Sequence, residues 1–339
     1  MMDRHLRVLG KSKGKLLKLP NVVGVGVGIK KAGEETTGRL SLVVFVEKKI
    51  PARELRRDQV VPLKIGDLET DVIETGRFRF LSDPLAGRTR RVRPAPPGVS
   101  IGHFRVSAGT FGAVVRDKNT KEKLILSNNH ILANATNGRD GRAAIGDPVF
   151  QPGPHDGGGP RDRIGSLLRF VPVKRSEQEA ECPVAAAVSR AGNVLLHAFR
   201  PNYDLRFTRR TQESNLIDAA VARPDSPGLI DDNILDIGPV NGVGEIQPSD
   251  QVLKSGRTSG LTEGKVLSIG VTVKVDILED ETAWFNDQIM TDLVSKPGDS
   301  GSLVLNDKKE AVGLLFAGSD KYTVFNRIQN VLEKLNLIF

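Results

Sequence analysis

Near the C-terminus the stretch Lys296-Pro297-Gly298-Asp299-Ser300-Gly301-Ser302 sets one serine among small residues. Glycines flanking a serine let the backbone approach a carbonyl closely and let successive N–H groups face a developing oxyanion, which is what acyl transfer requires. A serine hydroxyl is a weak nucleophile at its own pKa, so the chemistry also needs a base and a group that orients it. His130 is the candidate base, just after the apolar run Leu124-Ile125-Leu126-Ser127. Asp218 is the candidate orienting group, inside Leu216-Ile217-Asp218-Ala219-Ala220-Val221. A carboxylate in so apolar a run is costly to bury unless it accepts hydrogen bonds, and an imidazole is a suitable donor. Taken singly, these residues read equally well as a turn, a strand-end histidine and a buried ion-pair partner. Their joint occurrence, in the order His, Asp, Ser, favours chemistry.

That order and its local motifs resemble the chymotrypsin-like serine peptidases, over roughly Val106 to the C-terminus. Gly109 to Val115 together with Leu126 to Leu132 is similar to the family's opening strands and histidine turn, and Asp218 to Val221 to its aspartate strand. Lys254 to Gly264 resembles the second-barrel hairpin of bacterial members, and Val312 to Gly318 the strand that pairs with substrate backbone. Leu19 to Gly28 with Val43 to Lys49 further resembles bacterial relatives of the plant narrow-leaf trypsin-like peptidases.

The resemblance implies a mainly β fold, a double β-barrel chymotrypsin-like peptidase domain preceded by a small α+β domain. It implies a serine endopeptidase that works through an acyl-enzyme on Ser300, with His130 as base and Asp218 fixing its tautomer. The oxyanion hole would come from the N–H groups of Gly298 and Ser300, and substrate-binding positions would be Val294, Phe316, Ala317 and Gly318. The implied partner is a protein or peptide substrate, with no cofactor and no metal. Val294 lies six residues before the nucleophile, where trypsin-type members carry an aspartate, so cleavage after Arg or Lys is not the expected preference. Gly318 at the pocket wall would leave room for a medium apolar side chain. Two positions depart from the pattern: Ser302 stands for a second glycine, and Phe316 for a serine that binds the triad aspartate. The 88 residues from His130 to Asp218 imply an insertion at about 134–214.

The elements that must position these residues are legible in outline. Residues 1–18 read as a basic tail or a short leucine-bearing helix, broken by Gly10 and Gly14. Residues 19–86 read as the small α+β domain, with strands at Val22–Ile29 and Leu40–Val46 and a hairpin through Gly66-Asp67. The glycines at 24, 26 and 28 are spaced G-x-G-x-G with no helix after them, which reads as close strand packing rather than a dinucleotide loop. Residues 87–100, basic and proline-rich, read as a linker, and 101–339 as the peptidase domain. Within the insertion, Pro183 to His197 reads as a helix. Val324 to Leu335 reads as an amphipathic helix that packs on the second barrel. His155-Asp156, in a Gly/Pro loop, reads as a surface feature because no further ligands cluster with it.

The chain has 339 residues, 39% hydrophobic and 27% charged, with formal net charge +8. Residues 1–100 carry 21 Lys+Arg against 11 Asp+Glu, while 101–339 carry 28 against 30, so the basic character belongs to the N-terminal third. Only Phe78-Arg79-Phe80 interleaves aromatics with these charges, too short a stacking platform for nucleic acid to be the expected partner. A catalytically idle binding or adaptor protein using the basic segment is the alternative function. Cys182 is the sole cysteine, so no internal disulfide can form. Lysines 11, 13, 15 and 18 interrupt any signal-peptide apolar region, and no run approaches a membrane span. A cytoplasmic location, no membrane partner and homo-oligomerisation through the extra domain are the expectations.

Overall fold

The computed structural model describes residues 2–32, 35–79, 87–106, 108–179, 182–203, 205, 207–210, 213–278 and 281–339. Phe80 and the expected boundary at residue 86 lie outside the described residues. The chain opens with helix α1 (Met2–Leu16), which buries His5, Leu9, Ser12 and Leu16 on one side. That side rests on the hairpin of β1 (Val22–Ala32) and β2 (Glu35–Val46), against Val25, Val27, Leu42 and Val44. Of the two readings of residues 1–18, the helix is the one formed, and it spans Gly10 and Gly14 without a break. Gly10 and Gly14 lie on the solvent side of α1, where each costs about 1 kcal/mol relative to alanine, and burial of Leu9 and Leu16 offsets that at ~1.5–3 kcal/mol per side chain.

Strands β3 (Lys64–Ile65) and β4 (Leu68–Glu74) form the expected hairpin, and β4 runs parallel to β2 from Leu42↔Thr70 to Val46↔Glu74. Strand β5 (Phe78–Arg79) then leaves this group altogether, as described below.

The next strands close a first barrel. β6 (Ser100–His103), β7 (Gly109–Thr110), β8 (Ala113–Asp117), β9 (Lys123–Ser127), β10 (Pro148–Phe150) and β11 (Arg163–Phe170) follow in order, with the short helix α2 (Asn129–Leu132) after β9. An excursion of β12 (Glu177–Glu179), helix α3 (Pro183–Phe199), β13 (Thr208–Arg210) and β14 (Ser214–Asn215) precedes β15 (Ala220–Pro224). The pairing runs β8-β9-β15-β11-β10-β6-β7. Because β7 and β8 are one nearly continuous stretch, the ring is shut.

The second barrel uses β16 (Gln251–Gly256), β17 (Gly260–Leu278), β18 (Glu281–Thr291), β19 (Leu303–Asn306), β20 (Ala311–Gly318) and β21 (Thr323–Arg327), paired β18-β21-β20-β19-β16-β17 with β17 also on β18. That last pairing closes a six-stranded ring. Helix α4 (Ile328–Leu335) and β22 (Leu337–Ile338) finish the chain, β22 returning to β8 of the first barrel. The molecule is mainly β, with two closed barrels.

Strand periodicity explains the two-barrel arrangement. Successive side chains point to opposite faces of a strand, and here both faces are apolar. Ile125, Ala220 and Ala222 fill the first barrel with Ile101, Phe111, Val149 and Leu167. Their neighbours Leu124, Leu126, Ala219 and Val221 face outward to Leu303, Leu305 and Leu314 of the second barrel, with Ile328, Val331 and Leu335 of α4. Val304 and Leu315, their immediate neighbours in these strands, fill the second barrel with Val312. The helical spacing read from Val324 misleads for one turn: Val324 and Phe325 are strand residues paired with β18 and β20, and helix begins only at Ile328.

Two expected boundaries dissolve in the tertiary structure. β1 lies antiparallel on β17, so that β1, β2, β4 and β3 prolong the second barrel's sheet. The close approach depends on glycine: a Cβ at Gly28 would stand 2.5 Å from Ser268 Oγ and 2.7 Å from Leu267 O. Residues 87–100 are not a free linker. Arg88 donates to Ser255 Oγ at 2.7 Å and pairs with Asp236, Arg93 bonds Gln151, and Ala95 and Val99 are core residues. The prolines deny this segment a ladder of its own, and arginine forks find carbonyl and carboxylate acceptors instead. Cys182 is exposed, directly before α3. No helix among the described residues is long and apolar enough to cross a membrane.

Candidate active site

His130 and Asp218 meet where β9 and β15 lie side by side. Ala220 pairs with Ser127, so the residues just beyond β9 and just before β15 leave the barrel at the same end. The His130 ring meets the carboxylate directly, Nδ1 against Oδ2, and the His130 backbone N–H donates to Oδ1 at 3.2 Å. Both carboxylate oxygens are thus engaged by one residue, which resolves how Asp218 is satisfied without the serine that Phe316 replaces. An Nδ1 facing a carboxylate carries the proton and leaves Nε2 as the basic nitrogen. Asp218 is fully buried and its backbone is held from both barrels: Asn128 Nδ2 donates to its carbonyl at 2.8 Å, and its own N–H donates to Asn326 Oδ1 at 3.0 Å.

Ser300 sits in the turn before β19. Strand β7 splints this turn across the barrel boundary: Thr110 N–H donates to Ser300 O at 2.8 Å, and Thr110 Oγ1 donates to Gly298 O at 2.8 Å. A Cβ at Gly109 would stand 2.4 Å from Ile131 Cδ1 and 2.9 Å from Ser300 O, so α2 and the serine turn flank the same glycine. Ser300 is 1% exposed and its Oγ donates to Phe316 O at 3.3 Å. Gly298 and Gly301 have φ of +96° and +95°, which other residues adopt only with strain. At Gly301 a Cβ would also stand 2.1 Å from Ser127 Oγ.

The orientation of the turn's amides follows from its hydrogen bonds. The N–H groups of Asp299, Gly301 and Ser302 donate to Lys296 O, Leu315 O and Asp299 O, whereas among the described residues those of Gly298 and Ser300 have no acceptor. A planar trans peptide sets its N–H opposite its C=O. Thr258 Oγ1 donates to Pro297 O at 2.6 Å and Ser302 Oγ to Asp299 O at 2.6 Å, so both peptides that carry the free N–H groups are held by their carbonyls. Ser302, a departure at the sequence level, thereby has a positioning part.

Asp299 anchors the turn from below. It accepts from Thr258 N–H at 2.9 Å, Ser259 N–H at 3.0 Å, Lys296 N–H at 2.8 Å and Lys254 Nζ at 3.2 Å, with Asp299 and Lys254 side chains wholly buried. Burial pushes the Lys254 ammonium below its ordinary pKa, and the adjoining Asp299 carboxylate opposes that. Beside it, Arg257 makes a two-pronged contact with Asp156, Nε to Oδ2 at 2.6 Å, and Ser100 Oγ donates to the same carboxylate. Asp156 is therefore not a surface residue: its side chain is 3% exposed and bridges the barrels. Sequence reasoning singled out Lys254 to Gly264 as a motif without seeing that three of its residues hold the serine turn. It misread Asp156 and missed the parts of Thr110 and Asn326, which carry no local signal.

The expected substrate positions fare unevenly. Phe316 points into the core, its ring 4.7 Å from that of Phe285, and only its carbonyl faces Ser300. Ala317 is buried, and Gly318 ends β20. Val294 is 58% exposed, with its carbonyl accepting from Thr262 Oγ1, so it does not close the floor of a buried pocket. Among the described residues no group of three or more His, Cys, Asp or Glu side chains could hold a metal ion.

No family model matches the chain, and no curated protein does. Among solved structures, Thermobifida fusca protease A is similar at 16% identity and a TM-score of 0.44, covering 71% of this chain and 96% of that one. Nocardiopsis protease is similar at 16% and 0.45, covering 72% and 98%. Cellulomonas bogoriensis chymotrypsin is similar at 15% and 0.43, covering 72% and 96%. Likenesses this distant assign no chemistry, which the side chains themselves have to carry.

Proposed function

We propose that the chain is a serine endopeptidase that hydrolyses peptide bonds through an acyl-enzyme on Ser300. The observation that carries this reading is the direct contact of a fully buried Asp218 carboxylate with Nδ1 of His130, on a helix that flanks Gly109 together with a serine turn whose two acceptor-less N–H groups belong to held peptides. Ser300 Oγ attacks the carbonyl while His130 Nε2 takes its proton. The oxyanion is received by the Gly298 and Ser300 N–H groups, and His130 then returns the proton to the leaving amine. Asp218 remains ionised and stabilises the imidazolium between those steps.

A fluorophosphonate, which reacts only with an activated serine, tests this reading. Wild-type protein is expected to take up one probe on Ser300, and the Ser300→Ala variant none. Equal labelling of the two proteins, or none of either, would refute the proposal. The near-complete burial of Ser300 and its bond to Phe316 O favour a second reading, an idle peptidase-fold binding protein, and absence of labelling is what that reading requires.

Thr258 offers a separate check on the oxyanion site. Thr258→Val removes the hydroxyl that holds Pro297 O and frees the 297–298 peptide to turn. Loss of one oxyanion donor typically costs ~10²–10³ in kcat, so a looser donor is expected to cost ~10-fold or more in kcat with KM little changed. A change confined to KM would show that Thr258 does not act through the oxyanion site.

A further inference from the structure

We propose that strand β5 occupies the far end of the substrate groove, so that the resting protein accommodates two residues on the acyl side of the cleaved bond and admits longer peptides only by displacing Phe78–Arg79; this rests on the peptidase reading above. The argument starts from the two edges of β20. Its one edge is held by β21 through Leu315↔Phe325, Ala317↔Val324 and Gly318↔Thr323. Its other edge is held by β19 only as far as Leu314. Beyond that point, at Phe316 and Ala317, this edge has no strand partner among the described residues. An unpaired strand edge is a template for an extended peptide, and this one begins at the carbonyl that accepts from Ser300 Oγ.

A peptide added antiparallel to β20 steps backward as β20 steps forward. With the attacked residue beside Phe316, the residue two places before it stands opposite Gly318. Arg79 already stands there: it pairs antiparallel with Gly318, and because β21 holds the other edge, β5 lies on the edge the substrate would use. The same two residues pair in parallel with Val275 and Asp276 of β17. Phe78 is buried with Phe285, Phe316 and Ala317. One phenylalanine and a two-residue ladder make a small anchor that a longer peptide could displace.

The test uses the full chain and N-acetylated alanyl anilides with acyl parts of two, three and four residues, with fluorophosphonate titration of Ser300 to count active sites. Variants are Phe78→Ala, which removes the anchor, and Arg79→Pro, which removes a backbone donor of β5 while leaving the Phe78 side chain in place. The readout is the ratio of kcat/KM for the four-residue over the two-residue substrate. It is expected to lie near one in the wild type and to rise ~10-fold in either variant, as a third residue gains its backbone hydrogen bonds. A wild-type ratio already near ten and unmoved by both substitutions, in protein whose Ser300 is labelled, would overturn the proposal. No labelling of Ser300 in any of the three proteins would instead overturn the peptidase reading, and this one with it.

Discussion

Ser300→Ala is expected to lower peptide hydrolysis by ~10⁶, and His130→Ala by a similar factor, with the double variant no worse than either alone. The reason is that the two side chains act as one unit: the hydroxyl is inert without a base, and the base has nothing to deprotonate without the hydroxyl. Asp218→Asn is expected to cost less, ~10⁴, because the imidazole remains but in the wrong tautomer. The fold should survive Ser300→Ala, since the hydroxyl's one bond among the described residues goes to Phe316 O at 3.3 Å. Single-turnover rates, with melting temperatures alongside, check both statements. Multiplicative losses in the double variant would mean that the residues do not form one catalytic unit.

Asp299→Asn is expected to destabilise the fold by ~3–5 kcal/mol, because it leaves the wholly buried Lys254 ammonium without a counter-charge. The pH dependence has a definite sign. Burial holds the folded-state pKa of Lys254 below its ordinary 10.5, so just under that value the unfolded chain binds more protons and stability rises with pH. Removal of Asp299 removes what opposes the depression, so the window extends to lower pH. The deficit of Asp299→Asn against the wild type should be largest at low pH and shrink as pH approaches 10.5. Urea unfolding at a series of pH values measures this, and a deficit independent of pH would show that Lys254 is not the group left stranded.

Part of the candidate site was legible in the sequence. His130 and Asp218, which the fold brings into contact, were singled out because a polar residue at the end of, or inside, an apolar run is informative by its cost, and the serine turn because glycines bracket it. The strands were legible as short apolar runs such as Leu124, Ile125 and Leu126, although a run that is apolar on both faces does not tell a barrel interior from a barrel interface. The first turn of the C-terminal helix was misread for the same reason: Val324 and Ile328 fit a helical face as well as they fit a strand followed by a helix, and only pairing with β18 and β20 decides. The contacts of residues 87–100 were not legible because charge and proline content report what a segment cannot do alone, not what Ser255, Asp236 or Gln151 offer it from far along the chain.

By itself the sequence determined which groups are available for chemistry, in what order, and which short runs must be buried, because these follow from residue type and short-range pattern. The tertiary structure alone decided that Thr110 would hold Gly298 from 188 residues away, that Asp156 would meet Arg257 across 101 residues, and that Arg79 would lie against Gly318. Such contacts are one or two hydrogen bonds, or a single bridge, between distant segments. They leave no periodic trace in either segment, and they arise only once closure of the two barrels has fixed where each strand end must lie.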